Sequence, residues 1–413
     1  MRILIAHSRY RSAAPSGENN VVDSDVALLS RAGHDVTLWE RRSDEIAQWP
    51  LARRAGVPIR SIYDTEVRRS LRARLAVERP DVVHVHNTFP LLSRSVLDAC
   101  RDAGVPVVAT LHNYKLLCAG GDFFRDSRPC HACADGSVTA ALRHRCYRDS
   151  LPATGTAVAG LVGGRATWRR EPAAYLFLSA AQRDLMRGLG LPPERTFVKH
   201  NWVAPPAEAA PRTRAGVVHL GRLDAAKGAR FLMAAWDRVT EPEARLTVVG
   251  GGALEGDVRA WAAGRPEVRM PGHLPPDEAR AALSSSLAAV IASQWEETFG
   301  LVAVEAMAAG VAPIAPARGS FPELVTDGVD GVLYDPENPG DLAHRIEEVI
   351  RHPERYRALG RAAAATYRAR FTPEVGLRRL LETYRFAQDN PRHGPPSAER
   401  SDPAAALMTG RSA

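Results

Sequence analysis

Two acidic residues, Glu297 and Glu305, stand eight positions apart in the segment from Ser293 to Val325. Glu305 lies within apolar, alanine-rich sequence, where an unpaired carboxylate is costly. An ionised carboxylate can accept hydrogen bonds from two hydroxyls at once, which suits a sugar or a ribose. A favourable acid at a helix N-terminus would explain Glu297 but not Glu305. The pair therefore indicates a binding site for a hydroxyl-rich ligand.

The apolar residues around Glu305 recur at three- and four-residue steps from Thr298 to Ala309, which predicts a buried helix. Gly310 is predicted to end this helix, and a short strand should follow from Val311 to Ala315. The free N–H groups at the helix start, next to Gly300, suit a phosphate.

Two cations, Arg222 and Lys227, follow another predicted strand, Gly216 to Leu220. An arginine and a lysine around one loop can clamp a diphosphate, the arginine through two parallel bonds and the lysine as a point charge. A solvated loop pair is the alternative interpretation. The nearby glycines 250–252 lack the third glycine of the dinucleotide fingerprint, because position 255 is Glu, so a nicotinamide cofactor is not supported.

Histidines occupy the ends of two predicted strands in the first half of the chain. His112 follows the strand from Val105 to Leu111, and His84 with His86 closes the strand before it. Ligands of parallel sheets bind at such strand ends, which favours a site role for His112 over a purely structural one. Gly17, after the first strand, would let the backbone approach a phosphate, or would simply form a turn.

Four cysteines lie within thirty residues at the spacing C-x11-C-x2-C-x12-C: Cys118, Cys130, Cys133 and Cys146. Disulfides are not expected in a cytoplasmic protein, and four thiolates can bind a structural zinc ion. The surrounding segment offers few apolar residues, so a metal would supply its order. The alternative is four packed, reduced cysteines.

Glu297, seven intervening residues and Glu305, followed by AMAAGVAPIA and FPELV, resemble the signature of glycosyltransferase family 4. The resemblance extends over roughly residues 1–388. It implies an α/β protein of the GT-B fold, with two Rossmann-like domains facing each other across a cleft. It also implies retaining sugar transfer from a nucleotide sugar, UDP- or GDP-linked, without a catalytic metal or other cofactor.

The resemblance assigns roles to single residues. His112 and Glu297 would be catalytic, with His112 beside the anomeric carbon and Glu297 on the hydroxyls of the donor sugar. The residues it implies for donor binding are Gly17, Arg222, Lys227, Glu297, Phe299, Gly300, Leu301 and Glu305. Among these, Glu305 would hold the ribose, and Arg222 with Lys227 would hold the diphosphate.

The domain organisation follows from the same resemblance and from composition. Residues 1–205 are predicted to form an acceptor-binding domain with a cysteine-rich insertion at 115–150, and residues 206–370 a donor-binding domain. A helix at 371–388 would cross back to the N-terminal domain. The Pro/Ser/Ala-rich residues 389–413 are expected to be disordered.

The composition, 45% hydrophobic and 24% charged, is that of a soluble globular protein. The sequence predicts neither a signal peptide nor a membrane-spanning helix, so a cytoplasmic location is expected. Residues 1–205 carry 29 basic and 20 acidic residues, a formal charge of +9, whereas the remainder carries −2. This asymmetry suggests peripheral contact with an anionic membrane, although an evenly solvated face would show it too. Nucleic-acid binding is not expected, because aromatic residues amount to only 6%.

Two questions remain open at this stage. The acceptor could be a glycan, a lipid-linked molecule or a small natural product. A nucleotide-sugar epimerase or a phosphorylase of the same fold is the alternative enzyme class.

Overall fold

The computed structural model describes residues 1–10, 17–206 and 213–392. Residues 11–16 before Gly17, residues 207–212 at the boundary between the two predicted domains, and residues 393–413, most of the segment predicted to be disordered, lie outside the described residues. Within the described ranges, no helix is long and apolar enough to cross a membrane.

The N-terminal domain is built on a six-stranded parallel sheet with the order β2-β1-β3-β4-β7-β8. Its strands are β1 (Arg2–Arg9), β2 (Asp35–Arg42), β3 (Val82–Val85), β4 (Val107–Leu111), β7 (Ala174–Phe177) and β8 (Thr196–Val198). Its helices are α1 (Gly17–Arg31), α2 (Glu45–Gln48), α3 (Leu51–Ala55), α4 (Val57–Ile62), α5 (Thr65–Glu78), α6 (Ser95–Ala103), α7 (Thr139–Arg143), α8 (Leu151–Arg170) and α9 (Ala180–Leu185). A small hairpin, β5 (Phe124–Arg125) and β6 (Arg128–Pro129), forms in the cysteine-rich insertion.

The C-terminal domain repeats this plan with the strand order β11-β10-β9-β12-β13-β14, again all parallel. Its strands are β9 (Val217–Leu220), β10 (Leu246–Val249), β11 (Val268–Gly272), β12 (Ala288–Val290), β13 (Ala312–Pro316) and β14 (Val332–Tyr334). Its helices are α10 (Ala229–Trp236), α11 (Glu255–Ala262), α12 (Pro276–Ser284), α13 (Leu301–Ala308), α14 (Phe321–Leu324), α15 (Pro339–Arg351) and α16 (Pro353–Arg370).

Both sheets reverse their strand order at an inner strand, β1 in the N-terminal domain and β9 in the C-terminal domain. Loops diverge at such switch points and leave a crevice at the carboxyl ends of the strands, where α/β proteins bind ligands. The inner strands β3 and β4 are short and buried on both faces, because helices cover each side of a parallel sheet. The prediction of two Rossmann-like domains in the GT-B arrangement is confirmed.

The last helix, α17 (Pro373–Asp389), packs on the N-terminal sheet although it follows the C-terminal domain. Leu380, Tyr384 and Ala387 are buried there in one core cluster with Ile3 and Ile5 of β1. The predicted crossing helix is therefore present.

Side chains near the cleft tie the two domains together. The Glu323 carboxylate in α14 accepts a hydrogen bond from the Ala180 amide at 2.7 Å and contacts His200 at 2.8 Å. His131 in the insertion lies 3.1 Å from the Glu296 carboxylate. The described structure is thus a closed arrangement in which N-terminal groups lie against the loop that precedes α13.

The sequence prediction missed the helices between residues 45 and 62. They are short and, in the described structure, none of α2, α3 and α4 contains a fully buried residue. Such helices lack the periodic apolar residues from which a helix is predicted in a sequence.

Candidate active site

Lys227 and Glu297 form an ion pair at the carboxyl end of the C-terminal sheet. Gly228 has a φ of +75°, and a Cβ there would lie 1.8 Å from the Ala292 carbonyl oxygen. Only glycine allows this approach, which holds the Lys227 loop against the residues after β12. Ser293 adds a hydrogen bond to the same Glu297 oxygen at 2.8 Å.

The Glu297 carboxyl group is buried, with 5% of the residue exposed. Burial acts to raise its pKa, but the Lys227 ammonium and the hydrogen bonds to the carboxylate outweigh burial, so the pKa is lowered. Glu297 is therefore an anion at neutral pH and accepts hydrogen bonds from donors that enter the cleft.

Asp224 orders the loop that carries the two predicted cations. Its Oδ1 accepts the Lys227 amide at 2.8 Å, and its Oδ2 accepts Arg222 Nε at 2.9 Å. The Arg222 side chain is 55% exposed. Its guanidinium is held at the mouth of the cleft and keeps other N–H groups available for an anionic ligand.

The helix predicted from Thr298 begins three residues later, at Leu301. Gly300 has a φ of +85°, which ends any helical path before it, and a Cβ there would lie 2.5 Å from a ring carbon of Phe321. Thr298 and Phe299 are thereby free for contacts between domains. The helix N-terminus, with its free N–H groups, therefore lies at Leu301, directly after Gly300, and not at Thr298.

The Phe299 side chain does not face a ligand. It is 2% exposed and belongs to a core cluster that joins the domains and includes Phe321 and Phe371. Phe299 can therefore contribute only its backbone to a donor site. Leu301 is half-buried, and its Cδ1 lies 3.4 Å from where a Cβ on Gly17 would be, so the starts of α13 and α1 oppose each other.

Glu305 is half-buried on α13, and its carboxylate forms no hydrogen bond or ion pair with any described residue. Burial raises its pKa, and Arg280 opposes this effect only in part. A ligand that donates hydroxyls would compensate the lost hydration. The sequence argument for Glu305 as an unpaired buried acid agrees with this environment.

His112 lies at the end of β4, on the N-terminal side of the cleft. Its Nε2 is 2.8 Å from His86 Nδ1, and the two rings stack with centroids 5.1 Å apart. Burial lowers the pKa of both histidines well below the usual value. His112 therefore offers a neutral hydrogen-bonding imidazole rather than a cation.

His84 has a structural role. Its two ring nitrogens contact the Tyr384 hydroxyl at 2.8 Å and the Thr110 hydroxyl at 2.7 Å. It therefore ties α17 to the sheet beneath the cleft. His86 instead contacts the site through its hydrogen bond to His112.

The zinc site predicted for Cys118, Cys130, Cys133 and Cys146 does not fit the structure. Among the described residues, no three His, Cys, Asp or Glu side chains are arranged to hold a metal ion. Burial raises the pKa of the Cys118, Cys133 and Cys146 thiols, and the charges of neighbouring cysteines add to this effect for Cys133 and Cys146, so in the described structure these three cysteines are protonated thiols.

Apolar packing orders the insertion instead. Tyr114, Leu117 and Phe123 are buried in the N-terminal core together with Cys133. The rings of Tyr114 and Phe123 lie 4.7 Å apart between centroids. The sequence argument underestimated this segment, because its few apolar residues join an existing core rather than forming their own.

Glu323 was not singled out from the sequence, although it lies in the FPELV segment. Its contacts with Ala180 and His200 join the domains beside the site. An acid at the start of a short helix is usually only a favourable charge, so no local pattern distinguished Glu323 from other acids.

Two family patterns match consecutive parts of the chain. The pattern described as "Glycosyl transferase 4-like domain" matches residues 16–202, and "Glycosyl transferases group 1" matches residues 202–366. The chain belongs to the family 4 type of glycosyltransferases. Together the two matches include every predicted site residue of this glycosyltransferase, from Gly17 to Glu305.

Named relatives agree with this family. The glycosyltransferase is 36% identical over 181 residues to the D-inositol 3-phosphate glycosyltransferase of Segniliparus rotundus, an alignment that spans 41% of this chain and only 40% of that protein. It is 27% identical over 440 residues to a glycogen synthase of Mycobacterium tuberculosis, spanning 96% and 97% of the two chains. The solved structure of Anabaena HepE in complex with UDP-glucose superposes with a TM-score of 0.64 over 93% of this chain and 99% of that chain. At 19% identity, this last likeness concerns the fold alone.

Proposed function

We propose that this glycosyltransferase moves a sugar from a UDP- or GDP-sugar to an acceptor hydroxyl, with retention of configuration at the anomeric carbon. The observation that supports this most is the grouping of Lys227, Glu297 and Arg222 at the end of one sheet, with His112 of the other domain bonded through its carbonyl to Thr298, the residue after Glu297. A diphosphate-linked sugar presents the complementary groups: an anion beside a ring of hydroxyls.

The donor's diphosphate lies between Arg222 and Lys227 and receives N–H groups from Gly300 and Leu301 at the start of α13. Gly17 lies opposite this helix start, where its lack of a side chain keeps the space open. Glu305 accepts the ribose hydroxyls, and Glu297 accepts hydroxyls of the transferred sugar. Because Lys227 also pairs with Glu297, one ammonium links the diphosphate and sugar subsites.

Catalysis rests on stabilising the negative charge that develops on the departing diphosphate. Arg222, Lys227 and the helix N-terminus supply this stabilisation from fixed positions, so the proposal assigns no role to a metal ion. His112, being neutral, contributes a hydrogen bond to the sugar beside the anomeric carbon and not a charge.

The acceptor approaches from the N-terminal domain, beside His112. The acceptor classes left open by the sequence are a glycan, a lipid-linked molecule and a small molecule. The enzyme is proposed to act in the cytoplasm, in peripheral contact with an anionic membrane. An epimerase or a phosphorylase is not favoured, since the relatives named above are a glycosyltransferase and a synthase.

A panel of UDP- and GDP-sugars tests the donor assignment, read by thermal shift and by hydrolysis of the sugar nucleotide. We expect one nucleotide series to raise the melting temperature of the wild-type protein and to be hydrolysed slowly. Glu305→Ala should weaken donor binding roughly thirty- to thousandfold, as expected for a lost charge-assisted bond to a ligand.

Glu278→Ala is the matched control, because Glu278 is an exposed acid on α12 of the same domain. The control should bind the donor like the wild type. Equal donor binding by wild type and Glu305→Ala would overturn the assignment. Formation of an epimerised nucleotide sugar, or of a sugar phosphate from inorganic phosphate, without transfer to any acceptor would favour the alternative classes.

A further inference from the structure

A cavity of about 120 Å³ lies inside the N-terminal domain, between α4, α8 and the ends of β3 and β4. Most of its wall is apolar and includes Ile62, Phe89, Leu116, Leu161 and Trp168. His86 and His112 also line it, so the cavity reaches the histidine beside the proposed reaction centre.

The size of the cavity limits what can enter. An engineered apolar cavity of about 150 Å³ stays free of water and binds benzene. A cavity of 120 Å³ therefore holds one six-membered ring or a short alkyl chain, and its apolar wall disfavours a ring covered with hydroxyls.

The charged side chains that line the cavity are all basic, and one of them, Arg94, also lies 3.9 Å from the Asp98 carboxylate. Arg94, Lys115 and Arg165 line it, whereas no aspartate or glutamate is among the lining residues that the structure describes. Arg165 donates to the Gly136 carbonyl at 2.6 Å and forms no ion pair with the described acids. The Lys115 ammonium lies 4.5 Å from the centre of the Phe89 ring. This wall is complementary to an anion attached to an apolar body.

Three nitrogens of the lining residues are buried without a hydrogen-bond partner: His86 Nε2, Arg94 Nε and Arg165 Nε. Buried polar groups are normally satisfied, and an unsatisfied one calls for an explanation such as a missing ligand. Both arginine nitrogens carry N–H groups, so the group that would satisfy them is an acceptor of hydrogen bonds.

We propose that the acceptor is an anionic amphiphile: a ring or short alkyl segment that fills the cavity, an acidic group held by Arg94 and Arg165, and a hydroxyl presented at His112. This inference rests on the proposed transfer function and narrows its acceptor class. The proposed acceptor differs from the D-inositol 3-phosphate for which one relative is named, because the polyol ring of inositol phosphate would not suit the apolar wall.

Isothermal titration of the whole protein without donor tests the inference, with three probes. 4-Hydroxybenzoate carries a ring, hexyl phosphate carries an alkyl chain, and myo-inositol 1-phosphate is an anion without an apolar body. We expect one or both amphiphilic probes to bind with a dissociation constant below about 1 mM, and the inositol phosphate to bind at least about tenfold more weakly. Comparing the first two probes distinguishes an aromatic acid from a lipid phosphate as the natural source.

Gly160→Leu fills the cavity. A Cβ at Gly160 meets only ordinary contacts, the nearest being Ile62 at 3.9 Å, and leucine suits a helix better than glycine. Gly163→Leu is the matched control, because Gly163 lies on the exposed side of α8 and a Cβ there meets nothing. Gly160→Leu should weaken the binding of the amphiphilic probes at least about tenfold, and Gly163→Leu should leave their binding unchanged.

Arg165→Met tests the charge. This variant should weaken the binding of both amphiphilic probes and leave the binding of neutral phenol unchanged. Arg169→Met is its control, because Arg169 also donates to a carbonyl, that of Leu189 at 2.6 Å, but does not line the cavity.

Three results would overturn the inference: neither amphiphile binds the wild type, both bind Gly160→Leu as well as the wild type, or the inositol phosphate binds as tightly as they do. A separate titration with UDP and GDP sugars reports on the proposed function. Its failure would leave the cavity measurements unaffected.

Discussion

The Thr298 hydroxyl donates a hydrogen bond to the backbone carbonyl of His112, 3.1 Å away in the other domain. The Thr298 carbonyl in turn accepts from the Ser179 hydroxyl at 2.9 Å. Thr298, three residues before the start of α13, is therefore held by the N-terminal domain at two points. This arrangement couples the position of His112 to the start of α13.

Thr298→Val removes the bond to His112 and keeps the shape of the side chain. We expect turnover to fall roughly fivefold, corresponding to about 1 kcal/mol for one hydrogen bond, while donor affinity stays within about twofold. Steady-state kinetics with the donor found in the panel measures both. Thr298→Ser should restore turnover, and a valine variant with wild-type turnover would show that this bond does not position His112.

Lys227→Ala should reduce donor affinity by about 2–4 kcal/mol, because it removes the charge proposed to hold the diphosphate and leaves Glu297 buried without its cation. Titration calorimetry with the nucleotide sugar gives the affinity, and thermal melting verifies the fold. Arg230→Ala is the control, since Arg230 is exposed and, among the acids that the structure describes, pairs with Asp257 alone. An unchanged affinity in Lys227→Ala would remove the central element of the donor site.

Stability should fall as the pH is lowered from 7.5 to 5. Burial lowers the pKa of His84 to about 3 and of His219 to about 4, against 6.5 for a free histidine, and lowers that of His86 as well. Below pH 6.5 the histidines of the unfolded chain bind protons that the folded chain does not. The free energy of unfolding that the neutral histidines contribute is therefore fully present above pH 6.5 and decreases as the pH falls below it. Each such histidine contributes a slope of about 1.4 kcal/mol per pH unit.

Denaturant unfolding at several pH values measures this slope. In His84→Asn the slope of the unfolding free energy against pH should decrease by the amount that one proton contributes, about 1.4 kcal/mol per pH unit, whatever the change in absolute stability. A stability that does not change between pH 7.5 and 5 would mean that these histidines are not neutral and buried in the folded protein.

Gly300→Ala should destabilise the protein by about 1–3 kcal/mol, because an alanine there would adopt a strained positive φ and press on the Phe321 ring. Gly256→Ala makes the same chemical change on α11, where a Cβ meets nothing, and should stabilise by about 0.5–1 kcal/mol. Denaturant unfolding of both variants gives the comparison. Equal effects would contradict the special role of the Gly300 backbone.

The basic N-terminal domain should bind anionic vesicles at low salt. Leu51 and Ile59 are 82% and 74% exposed beside the arginines of α3 and α4, a combination that suits an anionic membrane surface. In vesicle sedimentation, Leu51→Asp with Ile59→Asp should reduce binding to anionic vesicles. Val329→Asp, an exposed apolar residue of the other domain, should not. Equal, negligible binding to neutral and anionic vesicles would indicate no membrane contact.

The sequence allowed the fold to be predicted because its signals are local. Apolar runs mark the buried strands of parallel sheets, and the residues that follow them reach the cleft for topological reasons. Glu305 could be selected because an acid in apolar sequence needs a partner, and the described structure offers it none among its own side chains.

Other features depend on tertiary contacts that no local pattern carries. The start of α13 is set by the packing of Phe321 against Gly300, and Phe299 is buried because two domains close on it. The cysteines matched the number of ligands of a metal site, but Tyr114, just before the insertion, and Leu117 and Phe123 within it pack with Cys133 in the N-terminal core. The cavity likewise arises where α4 and α8 meet, far apart in sequence.

The chain contains only three lysines, and the fold places them in different environments. Lys199 is 2% exposed and pairs with Asp25 in the interior, whereas Lys115 lines the N-terminal cavity and Lys227 pairs with Glu297 at the end of the C-terminal sheet. Burial lowers the pKa of Lys115, which increases its fraction of free amine. Acylating reagents should therefore modify side-chain amines of the folded protein almost exclusively at Lys115 and Lys227. Mass spectrometry of the modified protein would then report occupancy of the proposed donor site at Lys227 and of the proposed acceptor cavity at Lys115 in a single measurement.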